Sequence, residues 1–189
     1  IDSTAIDNVH LVRCRISNTA SNSGAGAIRT DNFPKYIDCD FECTSATHGT
    51  VVNADTLTFM SSCRFIGNTS AAIELVTVQN GIFSSCAFLG GSSSKGINFE
   101  QWGLCVVDSC TFYGLATDIE TPNNAQAGDF LVLNTHYTDS GTGIDNPYIA
   151  TANHNIIEVN SRTRDNTNNR LGIAEEGIHF GDVTTDTGG

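Results

Sequence analysis

Glu74, Glu120 and Asp145 stand at matching places in this chain, each directly after an aliphatic residue, in Ile73-Glu74, Ile119-Glu120 and Ile144-Asp145. Carboxylates paired on one face are what glycosidic-bond hydrolysis requires. One protonates the leaving oxygen while the other attacks the sugar or activates water. Between them in sequence, Glu100, Gln101 and Trp102 form a short polar and aromatic phrase that could give a sugar ring hydrogen bonds and a stacking face. The same residues also have a plainer reading. A chain with 21 Asp plus Glu against nine Lys plus Arg places carboxylates on any solvated face, and Trp102 beside Gly103 equally suits a cap over the hydrophobic end of a strand.

The elements that must position these side chains come from a repeat. Cys14, Cys39, Cys63, Cys86 and Cys110 recur at intervals of 25, 24, 23 and 24 residues. Each sits in a similar phrase, such as Leu11-Val-Arg-Cys14-Arg-Ile16, Met60-Ser-Ser-Cys63-Arg-Phe65 and Val107-Asp-Ser-Cys110-Thr-Phe112. Val132-Leu-Asn-Thr135-His-Tyr137 and Val159-Asn-Ser161-Arg-Thr163 continue the series with a hydroxyl in place of the thiol. A second column runs half a turn out of phase through Ile6, Ile28, Val51, Ile73, Ile97, Ile119 and Ile144. Self-similarity at a fixed period of this size marks a solenoid.

The repeat is built of strands. Amphipathic stretches of period 3.6 are lacking, and Gly, Asn, Ser and Thr are frequent. Around each cysteine the apolar residues alternate, then break for one or two positions, as in Val9, Leu11, Cys14 and Ile16 if Val12 and Arg13 form a bend. Stacked coils of this kind make parallel sheets, one strand spacing per coil. The expectation is an all-β, single-stranded parallel β-helix over residues 1–165, of about seven coils with a period of 22–26 residues, hence a rod roughly 34 Å long. Its interior should hold a thiol ladder, an aromatic ladder (Phe41, Phe65, Phe88, Phe112, Tyr137) and an aliphatic ladder. Asn18, Asn68, Gly90, Gly91 and Gly114 are expected at corners needing left-handed backbone. On this frame Glu120 and Asp145 lie on adjacent coils, about 5 Å apart, and Glu74 and Glu120 two coils apart, about 10 Å. The first spacing suits a retaining pair and the second an inverting pair.

The phrases Ile6-Asp-Asn-Val-His-Leu-Val-Arg-Cys-Arg-Ile16 and Leu104-Cys-Val-Val-Asp-Ser-Cys-Thr-Phe112 resemble the right-handed parallel β-helix of the pectate-lyase-like superfamily, which includes polysaccharide lyases, glycoside hydrolases and bacteriophage tailspikes. The resemblance implies a right-handed coil and a segment of a tailspike, tail fibre or other virion surface protein. Its partners would be a host polysaccharide or other glycan and other virion subunits, in a homotrimer, with no cofactor. A polysaccharide-degrading hydrolase or lyase is the alternative on the same fold. A lyase would need a cation cluster beside the uronate. The outward residues after the ladder cysteines instead include Arg15, Asp40 and Arg64, an alternating-charge row of the kind that stabilises a sheet surface.

Composition narrows the partners. A formal net charge of −12 on 189 residues argues against nucleic acid and anionic membranes. No apolar run reaches the length of a membrane span. All seven cysteines are expected reduced, with the ladder thiols as small inward hydrophobes, Cys105 at another inward position and Cys43 off the ladder. That suits a virion protein folded in a host cytoplasm. No C-x-x-C pair or histidine cluster points to a metal. The opening in mid-coil reads as a piece of a longer protein. Residues 166–189, where the repeat fades, read as a cap or linker.

Overall fold

The computed structural model describes residues 2–3, 9–17, 28–30, 34–44, 48–101, 103–121, 128–145, 154–164, 168–171, 179–180 and 184–186. They form a parallel β-solenoid in which every strand pair is parallel and each strand lies beside the one a coil later. Each coil has three walls.

The first wall is an eight-stranded sheet that follows the ladder cysteines, from Arg15–Ser17 through Asp40–Cys43, Arg64–Gly67, Ala87–Leu89, Thr111–Tyr113, His136–Thr138 and Arg162–Arg164 to Thr184–Asp186. Eight stacked strands differ slightly from the seven coils expected. The second and third walls belong to one fourteen-stranded sheet. They merge because His48–Ser61 and Ala72–Ser84 run round the bend as continuous strands, while other coils are broken there, as between Lys95–Phe99 and Leu104–Asp108. Asn168–Leu171, His179–Phe180 and Thr184–Asp186, from the stretch read as cap or linker, also pair in parallel on the three walls.

The ladders fill the interior. Phe41, Phe65, Phe88 and Phe112 stack with centroids 5.2, 4.9 and 4.7 Å apart and planes within 8°. Tyr137 continues the stack at 5.7 Å and 23°. Phe83, Phe99 and Phe130 meet edge to face beside it. Like shapes one strand spacing apart leave no void, which is how a narrow tube reaches native packing density. All seven cysteines are free, and all but Cys14 are buried, Cys43 and Cys105 included. Sulfur meets sulfur up the ladder: contact with Cys86 is the main cause that raises the Cys63 thiol's pKa, and contact with Cys110 does the same for Cys86.

The corner before the ladder works differently from the expectation. The residue preceding each ladder position is left-handed: Arg13, Asp38, Ser62, Ser85, Ser109, Asn134 and Asn160 have φ between 48° and 55°. Their amides continue the coil-to-coil bonding, as in Ser62 N to Ser84 O and Ser85 N to Asp108 O, both 2.9 Å. Of the described glycines and asparagines expected in this conformation, only Gly114 (φ 71°) has it. Asn18 lies outside the described residues. Asn68 instead accepts the Ser70 amide at 2.9 Å in a local turn. Gly91 is needed for close approach, since a Cβ there would run into the Thr69 backbone.

The aliphatic ladder also shifts. Register joins Ile28, Val52, Val76, Ile97, Ile119 and Ile144, so Val52 and Val76 replace the expected Val51 and Ile73. Ile6 lies outside the described residues. The bend buries two consecutive residues, Val51 with Val52 and Leu75 with Val76, so apolar character fits either register there.

Candidate functional site

The corrected register decides which outward residues meet on the second wall. Glu74 falls in a row with Thr50 and Lys95, and Lys95 pairs onward with Thr117. Glu120 falls in the neighbouring row, with Thr77, Asn98 and Asp145. Glu74 and Glu120 are therefore two coils apart, as expected, but three residues apart along the strand.

Lys95 spans that offset. It sits on the coil between the two acids, and its Nζ lies 3.7 Å from Glu74 Oε1 and 2.5 Å from Glu120 Oε2. Those two oxygens can thus be no more than about 6 Å apart, a bound that admits the spacing of a retaining pair and excludes the wider inverting spacing expected for them. The ammonium, however, fills the space between them, where a glycosidic oxygen and a water would have to sit. Thr77 Oγ1 donates to Glu74 Oε2 at 2.7 Å and Asn98 Nδ2 donates to Oε1 at 3.4 Å. Thr50 lies 3.4 Å from Thr77, hydroxyl to hydroxyl. Glu74 and Lys95 are about one-third exposed and Glu120 one-fifth. Thr77 is buried, and above it Glu74, Lys95, Asn98 and Glu120 make a half-exposed patch of acceptors and donors fixed to rigid strands.

The other expected residues fall elsewhere. Asp145 pairs in backbone register with Glu120, which puts the two on adjacent coils; only the backbone of Asp145 is described. Glu100 and Gln101 leave the second wall with their amides bonded to the Val78 and Gln79 carbonyls at 2.8 and 2.9 Å. Glu100 is exposed and Gln101 partly so. Trp102 lies outside the described residues. The residues that sequence reasoning passed over are Lys95 and Thr77. A lone lysine on the coil between two acids was the available signal for Lys95, whereas Thr77 was hidden by the slipped column.

The alternating row on the first wall is present as an ion-pair surface. Arg64 holds Asp40 through two bonds, Nε to Oδ1 at 3.1 Å and a terminal nitrogen to Oδ2 at 2.8 Å. Arg15 reaches past its register partner Asp40 to Glu42 at 2.8 Å. Where the first wall meets the third, Asn160 donates to Asn134 at 2.8 Å and Asn134 donates to Asp108 at 3.2 Å, a polar ladder on the outside of the left-handed corners. Among the described residues no helix is long and apolar enough to cross a membrane. No family model matches the chain, and neither a curated protein nor a solved structure matches it.

Proposed function

We propose that the chain is a β-solenoid segment of a virion surface protein, such as a phage tailspike or tail fibre, with a structural and host-glycan-binding role. The observation that carries this reading is the patch of Glu74, Lys95, Asn98 and Glu120, with Thr77 buried beneath it and bonded to Glu74. These residues repeat donors and acceptors along the axis at about 4.8 Å on a wall with a filled interior behind it. A polysaccharide is a repeating chain of hydroxyls and matches a repeating polar surface better than a compact ligand would. The free buried thiols suit folding in a reducing cytoplasm before release in a particle. The fold itself is neutral on function, so the reading rests on this surface and on the resemblance of the cysteine phrases. Binding to an array of bacterial surface glycans tests it. Retention that is lost in Asn98→Ala and Lys95→Met supports the reading; no retention, or retention indifferent to both substitutions, removes it.

A polysaccharide hydrolase on the same wall is favoured by one observation, the closeness of Glu74 and Glu120. Depolymerisation that disappears in Glu120→Gln while binding persists would establish it. In the first reading the glycan is bound and left intact.

A further inference from the structure

The third wall carries an apolar surface on its outside. In register, Lys35, Phe59, Ile82, Val106, Leu131 and Ile157 form one outward row, with His10 before Lys35. Five large apolar residues follow one another there, each only half-buried, while the residues between them along each strand point into the core. A contiguous apolar patch on a rod this polar marks a contact surface.

About the rung of Asn80, Ile82 and Ser84 the flanking row of this wall reads alike up and down, whereas in the central row Phe59 is matched by Val106 but Lys35 and His10 stand opposite Leu131 and Ile157. The row beside the apolar one runs Val12 and Ile37, then Ser61, Ser84 and Asp108, then Leu133 and Val159: apolar, polar, apolar. On the other side, Leu57 pairs with Asn80, and the pairing of Cys105 with Gly81 puts Leu104 in line with Asn80 one coil further on. The relief is complementary too. Leu104 stands out, 51% exposed, while a groove of about 340 Å³ lies against Leu57, Phe59, Ile82 and Lys35. A half-turn about an in-plane axis through the central rung carries Leu104 of one copy over the groove of the other, and the reverse.

Charge agrees with this. The chain carries −12, yet the described side chains of the central row include no acid; Lys35 and His10 lie in it, Asp108 lies in the row beside it, and Asp129 follows Leu104 in backbone register. The wall measures roughly 29 Å by 16 Å, about 460 Å² in projection, below the ~800 Å² per partner of a tight complex. The association is therefore weak and shows only at high protein concentration.

We infer that the third wall binds a second copy of the chain, running in the opposite direction, about a two-fold axis at the Asn80–Ser84 rung. The resemblance to tailspikes implies three copies; this face fits two.

Light scattering on the 189-residue chain should give a mass approaching twice 20.1 kDa at about 100 µM and falling on dilution. Leu104→Glu, at an exposed position, should weaken association roughly 100-fold with unchanged circular dichroism, because each copy supplies one such contact. Direction is read by trapping with a short bismaleimide, since residues facing across two packed sheets lie about 10 Å apart, beyond a direct disulfide. Leu57→Cys and Leu104→Cys proteins should be bridged when mixed, and neither should be bridged alone, because like positions lie about 14 Å apart. A mass of 20.1 kDa at every concentration, a three-fold mass, or cross-linking of either variant by itself would overturn the inference.

Discussion

Thr135 donates its hydroxyl to the Leu133 carbonyl at 2.9 Å, across one left-handed residue. The ladder thiols make the same bond to the carbonyl two residues back: Cys14, Cys39, Cys63, Cys86 and Cys110 reach theirs at 3.4, 3.2, 3.3, 3.5 and 3.4 Å. At Thr135 the column thus keeps a small side chain that also carries a donor, whereas Ser161, the next ladder residue, is buried without such a bond.

Cys110→Thr should accordingly cost under about 1 kcal/mol, while Thr135→Val, which keeps the volume and deletes the donor, should cost about 1 kcal/mol or slightly more. Urea midpoints at constant m-value measure both. Equal losses would mean that the column selects for volume alone.

The left-handed corner makes a second claim. An L-residue pays about 1–2 kcal/mol to sit there, and glycine loses about 0.5–1 kcal/mol of unfolded-state entropy elsewhere. Ser85→Gly should then stabilise by roughly 0.5 kcal/mol. Asn134→Ala should destabilise by about 1–2 kcal/mol, since it also breaks the bonds to Asp108 and Asn160. A destabilised Ser85→Gly would contradict the geometry.

The buried thiols set an alkaline limit. Burial pushes Cys105 up to about 12, and Cys63 and Cys86 are raised chiefly by their neighbours in the ladder. In the unfolded chain the same groups ionise near 8.5. Above that pH the unfolded state holds fewer protons than the folded one, so stability is complete below about 8.5 and declines as pH rises towards about 12. The urea midpoint should be clearly lower at about pH 10.5 than at about pH 7.5, by up to about 1.4 kcal/mol per pH unit for each such thiol. A flat profile would show the thiols ionising in place.

Lys95→Met separates stability from surface chemistry. The Lys95 pairs are partly exposed, so their removal should change stability by less than about 1 kcal/mol. Glycan retention should fall several-fold in the same protein. Unfolding of the variant would instead make Lys95 a structural residue.

The thiol and aromatic ladders were legible because one residue type recurs at one spacing inside a constant phrase. The aliphatic ladder was not, because two adjacent residues turn inward at the bend and either of Leu75 and Val76, or Ile73 before them, satisfies a hydrophobic count. That slip moved Glu74 into the Glu120 row and hid its real row-mate, Lys95. The lysine's role is a diagonal contact across rungs, which neither period nor spacing encodes. The corners were misplaced for a simpler reason. Glycine and asparagine are the usual signal for such corners, whereas the solenoid holds Ser62, Ser85 and Arg13 in that conformation by bonding their amides to the coil above.

Ala87 lies beside both Arg64 and Thr111, and Phe88 beside both Phe65 and Phe112, so each storey touches only those above and below it. Excising residues 87–110 would set Thr111 on Arg64 and Phe112 on Phe65 with the seam unchanged. Length in this molecule is thus an editable quantity: whole storeys can be added or dropped by recombination while every remaining one keeps its lining, and reach can change without redesign of the shaft.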